Sequence, residues 1–299
     1  MNDLLVTGAS GPFGQRVLHH LLNTLKVPAS RIITTSRKPE ALSTWAAQGV
    51  TVRFADFEDE ASLAGAFQGA ERLLLISTDA VDRPGRRLAQ HKAAVEAAAK
   101  AGVRHIVYTS MPNPEGSPIL IAPDHAGTEA ALAASALPNW TVLRNHWYFE
   151  NLLASLPQVL ASGVWYSAAG EGKVANIARD DLARAAAVAL VGAAEGKTTL
   201  TLSGAKARTT AEIAALVSLA VGKPIQVIHV SVEDLVKGMV GAGLPEPVAR
   251  IVASFDANTA AGRAGEVTAD FKTLTGTDPL SFEQWLAANK ATLAGQAAA

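Results

Sequence analysis

The 299-residue sequence has no cysteine, which excludes disulfides, thiolate metal sites and cysteine nucleophiles and is neutral between compartments. Its seven histidines show no H-E-x-x-H or similar spacing, so no metal site is expected. The G-x-S-x-G elbow of a serine nucleophile is absent too. With 26 Lys and Arg against 27 Asp and Glu, the net charge of -1 makes no electrostatic case for nucleic acid or an acidic membrane surface. The most apolar stretch, Leu182 to Ala194, is interrupted by Arg184 and Gly192 and is too short to span a bilayer. The chain enters a strand at once, without a basic leader or a long apolar segment, so a cytoplasmic location is expected. What remains, 49% hydrophobic and 18% charged, is a globular composition sufficient for one large or two modest domains.

The most informative stretch comes first. Leu4-Leu5-Val6-Thr7 reads as a strand, Gly8-Ala9-Ser10-Gly11-Pro12-Phe13-Gly14 as a glycine turn, and Val17, Leu18, Leu21, Leu22 and Leu25 recur at helical spacing. In a strand–turn–helix of this kind Gly8 permits a tight exit. Gly11 lets the backbone approach a pyrophosphate, and Gly14 lets helix and strand pack closely. Pro12 suits a first helical turn, whose free N–H groups face the phosphates. The spacing is G-x-x-G-x-x-G. The second strand, Arg31 to Thr35, runs into Ser36-Arg37-Lys38-Pro39. An acidic residue here would bond the ribose of NAD; a serine and two cations suit the 2′-phosphate of NADP, with NADH as a weaker substitute. A charge-assisted contact contributes ~1.5–3 kcal/mol, and ~1.4 kcal/mol is tenfold.

Further βα units follow. Ala41 to Gln48 reads as a helix and Val50 to Phe54 as a strand, ending in Asp56 and Phe57, candidates for an adenine edge and face. Arg72 to Ile76 is a buried strand leading to Ser77-Thr78-Asp79, small polar residues for the diphosphate and ribose side. Leu88 to Ala101 is a helix capped by Gly102, and Val103 to Thr109 is a strand leading to Ser110 and Met111. The expected fold is α/β: a Rossmann-type, doubly wound parallel sheet with a smaller, mostly helical C-terminal lobe. Strand-end clusters at 8–14, 36–38, 56–57, 77–79 and 109–111 then converge on one crevice. Residues 1–150 are expected to form the dinucleotide-binding domain, receiving strands from 170–205. Residues 151–299 form a substrate-side lobe, mostly helical after 206. Pro112 to Pro123 is long enough for a lid. Asp124 to Ser135 is helical, Trp140 to Arg144 is a strand, and Asn145-His146-Trp147-Tyr148-Phe149-Glu150 suits a flat ring system. Lys173 sits in a glycine-rich turn, and 257–266 reads as a flexible Ala/Gly stretch.

One absence bears on the chemistry. Many short-chain dehydrogenases protonate a carbonyl with Tyr-x-x-x-Lys, but four residues beyond Tyr108, Tyr148 and Tyr166 stand Pro112, Leu152 and Gly170. Reducing a ketone makes an alkoxide nearly as basic as hydroxide, the conjugate base of water at pKa ~15.7, so an acid is usually needed. Reducing a quinone makes a phenolate, with a pKa closer to ~10. A site without a strong acid therefore favours an acceptor of the quinone kind. His125, His146 and Tyr148 are the candidate proton carriers.

These residues resemble a known family. Gly8–Gly14, Ser36 to Pro39, Ala55-Asp56-Phe57, Leu74 to Ser77, Gln90-His91 and Tyr108-Thr109-Ser110 resemble the NmrA-like atypical short-chain dehydrogenases. Asp124-His125 with Thr128-Glu129, and Leu143 to Tyr148 with Glu150-Asn151, look like the NAD(P)H:quinone oxidoreductase type 2 group, related to triphenylmethane dye reductases. The resemblance covers most of the chain and is stronger before residue 205. It implies NADPH held by Gly8 to Phe13, Arg37, Ser77 to Asp79, the Asn145 to Glu150 segment and Lys173, with hydride transfer to a quinone between the lobes. Where relatives carry Gly, this chain has His146, which adds bulk and a candidate donor. Two other functions stay open: a redox sensor that binds NADP(H) without turnover, and a carbonyl or imine reductase with an unusual proton donor. A small aromatic substrate is the expected partner, and a homodimer is allowed for.

Overall fold

The computed structural model describes residues 3–192 and 195–296, so Ala193 and Ala194, the end of the apolar stretch noted above, lie outside the described residues. Eleven strands are described: β1 Leu4–Val6, β2 Ile32–Ser36, β3 Thr51–Phe54, β4 Arg72–Leu75, β5 His105–Ser110, β6 Asn139–Asn145, β7 Val164–Ser167, β8 Lys173–Val174, β9 Lys197–Leu202, β10 Arg208–Thr209 and β11 Gln226–His229. Seven form one sheet in the order β3-β2-β1-β4-β5-β6-β9, with every neighbouring pair parallel. The order reverses between β1 and β4, where the carboxyl ends of the strands open a crevice. This is the Rossmann-type, doubly wound arrangement.

Strand alternation decides which helices cover which face. Leu4 and Val6 point to one side, with Ile32, Leu74, Val107, Leu143 and Leu202, and pack under Val17, Leu18 and Leu21 of the first helical segment and Leu182 of the helix Arg179–Val191. Leu5 points to the other, with Ile33, Leu73, Leu75, Ile106 and Tyr108, under the helices Glu60–Phe67, Arg86–Lys100 and Ala122–Ala134. Each fully buried Leu or Ile contributes ~1.5–3 kcal/mol. A third core gathers Phe149, Leu152, Leu156, Ile213, Val217, Phe282 and Trp285, joining the chain after β6 to the helices Thr210–Val221 and Phe282–Gln296. The strand at 197–202 lies beside β6, inside the main sheet.

Several local expectations are corrected. Residues 257–266 are not a flexible stretch: the helix Glu246–Ala260 runs through their start, Asn258 and Thr259 are buried, and Ala175 N donates to Ala264 O at 2.9 Å. The β7 strand and the helix Asp270–Thr275 were not foreseen; both are short, and β7 owes its existence to pairing with the distant β11. The segment 112–121 is docked. Ser117 Oγ donates to Asn258 Oδ1 at 2.8 Å, Leu120 N donates to Ser254 Oγ at 3.2 Å, and Arg263 Nη2 donates to the carbonyls of Asn113 and Glu115. Among the described residues no helix is long and apolar enough to cross a membrane, and no three His, Asp or Glu are grouped to hold a metal ion.

Candidate active site

The glycine turn begins at Thr7, whose hydroxyl donates to Leu74 O at 3.1 Å and accepts from Ile76 N at 3.1 Å, tying the ends of β1 and β4 together. Gly8 has φ +59°, a conformation that disfavours any side chain. Gly14 has no room for one: a Cβ would lie 2.5 Å from Gly8 O and 2.6 Å from Ala9 Cα. A Cβ on Gly11 would meet only Gly8 O at 3.4 Å, so its bareness serves something other than internal packing. Gly11 caps the helix Pro12–His19 without a side-chain bond, leaving the first N–H groups open. Ser36 Oγ donates to Ser10 Oγ at 3.1 Å and accepts from Lys38 N at 3.0 Å, holding the β2 end against the turn. Arg37 and Lys38 are exposed, and neither side chain has a carboxylate partner among the described residues.

Asp56 and Phe57, at the end of β3, are half-buried. The Asp56 carboxylate accepts from Glu58 N at 3.0 Å, and Phe57 packs on the core of the sheet's second face. Ser77 N donates to Thr109 Oγ1 at 2.9 Å, joining β4 and β5. Thr78 N donates to His91 Nε2 at 3.0 Å, and Asp79 is exposed. Ser110 Oγ donates to Glu129 Oε1 at 2.6 Å, and Glu129 holds Arg144 through two further bonds.

Beyond these strand ends lies a cavity of about 340 Å³, between the sheet and the C-terminal helices. Of the expected residues, Ser77, Thr109, Ser110, His125 and Asn145 to Tyr148 line it. Tyr148 stacks on Phe13 of the glycine turn, ring centroids 6.2 Å apart, which links turn and cavity. Trp147 lies against Phe255, ring centroids 3.9 Å apart and planes tilted by 36°, forming an apolar aromatic wall. Two residues expected at the site lie elsewhere. Glu150 accepts from Arg179 N at 2.9 Å and Trp285 Nε1 at 3.2 Å, so both carboxylate oxygens clamp the lobes together. Lys173 is exposed on β8, opposite Thr209 and outside the cavity wall.

The protonation chemistry differs from the expectation. Burial pushes His146 down to about 4, so its ring is neutral at pH 7. The Ala264 carbonyl accepts a hydrogen bond from the ring while buried Nε2 has no partner, which assigns the proton to Nδ1 and leaves Nε2 a lone pair. His146 is therefore an acceptor, not the expected donor. His125 is buried and pushed well below its ordinary value, by burial first and by Arg87 second. Arg87 Nη2, which can only donate, meets His125 Nε2 at 3.0 Å, so the His125 proton is on Nδ1, 2.9 Å from Tyr108 Oη. Burial pushes the Tyr148 phenol up to about 12, so it keeps its proton.

The sequence reading missed Arg87, Asn176, Asp256 and Arg263 in the wall. Only Arg87 had a local signal: it lies one helical turn before His91 on a buried face. Six buried nitrogen or oxygen atoms without a partner belong to five residues of this wall: Arg87 Nη1, both amide atoms of Asn145, His146 Nε2, Asn176 Oδ1 and Arg263 Nε. Unsatisfied buried groups are costly, at ~1–3 kcal/mol each, so their concentration in one cavity fits a ligand with many polar atoms. The turn, the crevice and this wall define a Rossmann-type dinucleotide-binding architecture.

Comparison with known proteins agrees. The NmrA-like family profile matches residues 1–286, and the chain belongs to that family. It is 40% identical to quinone oxidoreductase 2 of Escherichia coli (strain K12) over 259 residues, 87% of this chain and 88% of that one. The crystal structure of the E. coli NADPH-dependent quinone oxidoreductase QOR2 complexed with NADPH is similar, with a TM-score of 0.89, 38% identity, and coverage of 97% of this chain and 99% of that one. Citrobacter sp. triphenylmethane reductase complexed with NADP(H) gives a TM-score of 0.89 at 36% identity, covering 96% of this chain and 100% of that one.

Proposed function

We propose that this chain is an NADPH-dependent oxidoreductase that reduces quinones or similar electron-poor aromatic acceptors. The observation that carries the reading is the cavity at the strand ends, aromatic on one side and lined with unpartnered polar atoms. NADPH, when bound, supplies the hydride, and the structures of the relatives named above, complexed with NADPH or NADP(H), support that choice of cofactor. The chain's own residues position and select. The turn from Gly8 to Gly14 and the open N–H groups of its helix hold the diphosphate. Ser36, Arg37 and Lys38 hold the 2′-phosphate, with the Ser10–Ser36 bond setting one against the other. Asn145 offers both an amide donor and an acceptor, the complement of a carboxamide. Trp147 and Phe255 form a wall for a planar acceptor and exclude water.

The state of the histidines supports a quinone over a ketone. At pH 7 neither His125 nor His146 is an imidazolium, and the site has no tyrosine–lysine pair. A phenolate product needs little acid help, whereas an alkoxide does. The part of 151–299 outside β9 and the helix Arg179–Val191 serves as the substrate-side lobe, supplying Phe255, Asp256 and Arg263 to the wall. The test is loss of nicotinamide absorbance with a small benzoquinone or naphthoquinone, with a no-enzyme control and NADH in parallel. Turnover favouring NADPH is expected. Tight NADPH binding with no turnover of quinones, dyes or ketones would replace this reading with a redox sensor, and turnover confined to ketones or imines with a carbonyl or imine reductase.

A further inference from the structure

Arg87 is a cation in an unusual place. It is 4% exposed, lines the cavity, and makes no ion pair with any carboxylate among the described residues. Two of its nitrogens are used: Nε donates to Thr78 O at 2.6 Å and Nη2 to His125 Nε2 at 3.0 Å. Nη1 is buried and has no partner. A desolvated charge with no carboxylate in direct contact, and only Asp124 and Asp79 acting on it through space, is costly unless something with negative charge meets it. The surroundings lock the fork in one orientation. Because Arg87 occupies His125 Nε2, the imidazole proton is on Nδ1 and faces Tyr108 Oη. The Tyr108 hydroxyl lies against Thr128, whose Oγ1 donates to Asp124 O at 2.6 Å. His125 therefore has both nitrogens committed, one to Arg87 and one to Tyr108.

Resting on the quinone-reductase reading, we infer that Arg87 Nη1 holds the acceptor's oxygen as that oxygen gains negative charge, and that His125 is a positioning residue acting through Arg87. The quinone takes up a single hydride (one proton carrying two electrons) from the reduced nicotinamide, which is oxidised to NADP+, and one carbonyl oxygen is left with the negative charge of a phenolate. Water supplies the second proton to give the hydroquinone. Arg87 keeps all its protons; its contribution is a pre-oriented donor that strengthens as charge develops.

The test has two arms. In the first, Arg87→Met and Arg87→Lys are compared with wild type for kcat and for NADPH affinity by nicotinamide fluorescence. Losing one such donor lowers kcat by about 100-fold, with NADPH affinity held within about twofold. A rise in the NADPH Kd with kcat preserved at saturation would assign Arg87 to the cofactor instead. The second arm needs no turnover. Calorimetry reads the binding of 2-hydroxy-1,4-naphthoquinone, an anion at neutral pH, and of its neutral parent 1,4-naphthoquinone. Arg87→Met should weaken the anion at least about tenfold, or ~1.4 kcal/mol, and leave the neutral quinone unchanged; equal effects on both overturn the inference even if quinones are turned over. For His125, His125→Gln, which keeps an acceptor for Nη2, should retain most of kcat, whereas His125→Leu should fall like Arg87→Met. Equal loss in both would make His125 more than a positioning residue. Absence of quinone turnover in wild type with anion binding still lost in Arg87→Met would sink the reaction and leave the oxyanion site standing.

Discussion

Lowering the pH should destabilise this fold through its buried histidines, by an amount the structure sets. His91 accepts from Thr78 N at 3.0 Å through Nε2 and faces Thr128 Oγ1 at 2.9 Å through Nδ1. Burial, then Arg87, pushes it from an ordinary value of 6.5 to about 3. Protonating it would set two N–H groups against each other. His146 is pushed from 6.5 to about 4 by burial. Above pH 6.5 both rings are neutral whether the chain is folded or not, and they add no pH dependence. Below it the unfolded chain takes up protons that the folded chain refuses, so stability falls as pH falls through the window between 6.5 and the folded values. At pH 5 the solution is about 1.5 pH units below the ordinary value of 6.5, so holding each ring neutral costs, at ~1.36 kcal/mol per unit, ~2 kcal/mol. With ~2.1 cal/mol/K of unfolding entropy per residue, ~2 kcal/mol is roughly 3 °C of Tm for a chain this long. The two together lower Tm by about 6 °C between pH 7 and pH 5, and His125 works in the same direction. Asp124, Asp181 and Asp256, raised mainly by burial, oppose this nearer the carboxylate range. The decisive comparison is therefore between wild type and variant. Thermal melts of His146→Gln should show a pH drop smaller by about 3 °C. An identical drop in wild type, His146→Gln and His91→Gln would refute the argument that these rings stay neutral in the fold.

Arg37→Ala should raise the NADPH Michaelis constant roughly ten- to a hundredfold and leave NADH nearly unchanged; equal loss for both cofactors removes Arg37 from the phosphate site. Gly11→Val should abolish NADPH binding, read by fluorescence, while the melting curve stays near wild type, because a Cβ at that position would meet Gly8 O no closer than 3.4 Å. Gly14→Ala behaves differently: with Gly8 O only 2.5 Å from the new Cβ, the turn itself must shift, and a loss of more than about 2 kcal/mol is expected by denaturant titration. His146→Gly should admit bulkier acceptors, read as a gain in kcat/KM for triarylmethane dyes relative to benzoquinone; an unchanged ratio would show that His146 does not limit the cavity.

Much of the fold was legible because its signals are local. The glycine turn needs φ +59° at Gly8 and no side chain at Gly14, and both demands are met within fourteen residues. The Leu4-Leu5-Val6 run reads as a strand covered on both faces, and the structure divides it between two cores. The strand at 197–202 falls within the 170–205 segment expected to supply strands, and the fold gave it a place beside β6. The errors arose where composition stood in for contact. Residues 257–266 look loose in sequence because alanine and glycine carry little side chain, yet Ala264 O accepts from both Ala175 N and His146.

The sequence by itself determined the alternation of strands and helices, the dinucleotide turn, the cationic end of β2 and the absence of a tyrosine–lysine pair. These depend on residue type and on spacing along the chain. Only the tertiary structure decided what each polar side chain does. His146 is an acceptor because the Ala264 carbonyl, over a hundred residues away, accepts a hydrogen bond from its one N–H; His125 is no acid because Arg87 fills its second nitrogen; Glu150 is a clamp because Trp285 and Arg179 reach its carboxylate. Proton position and charge follow from desolvation and from the partner each atom meets, and those partners are brought together by folding.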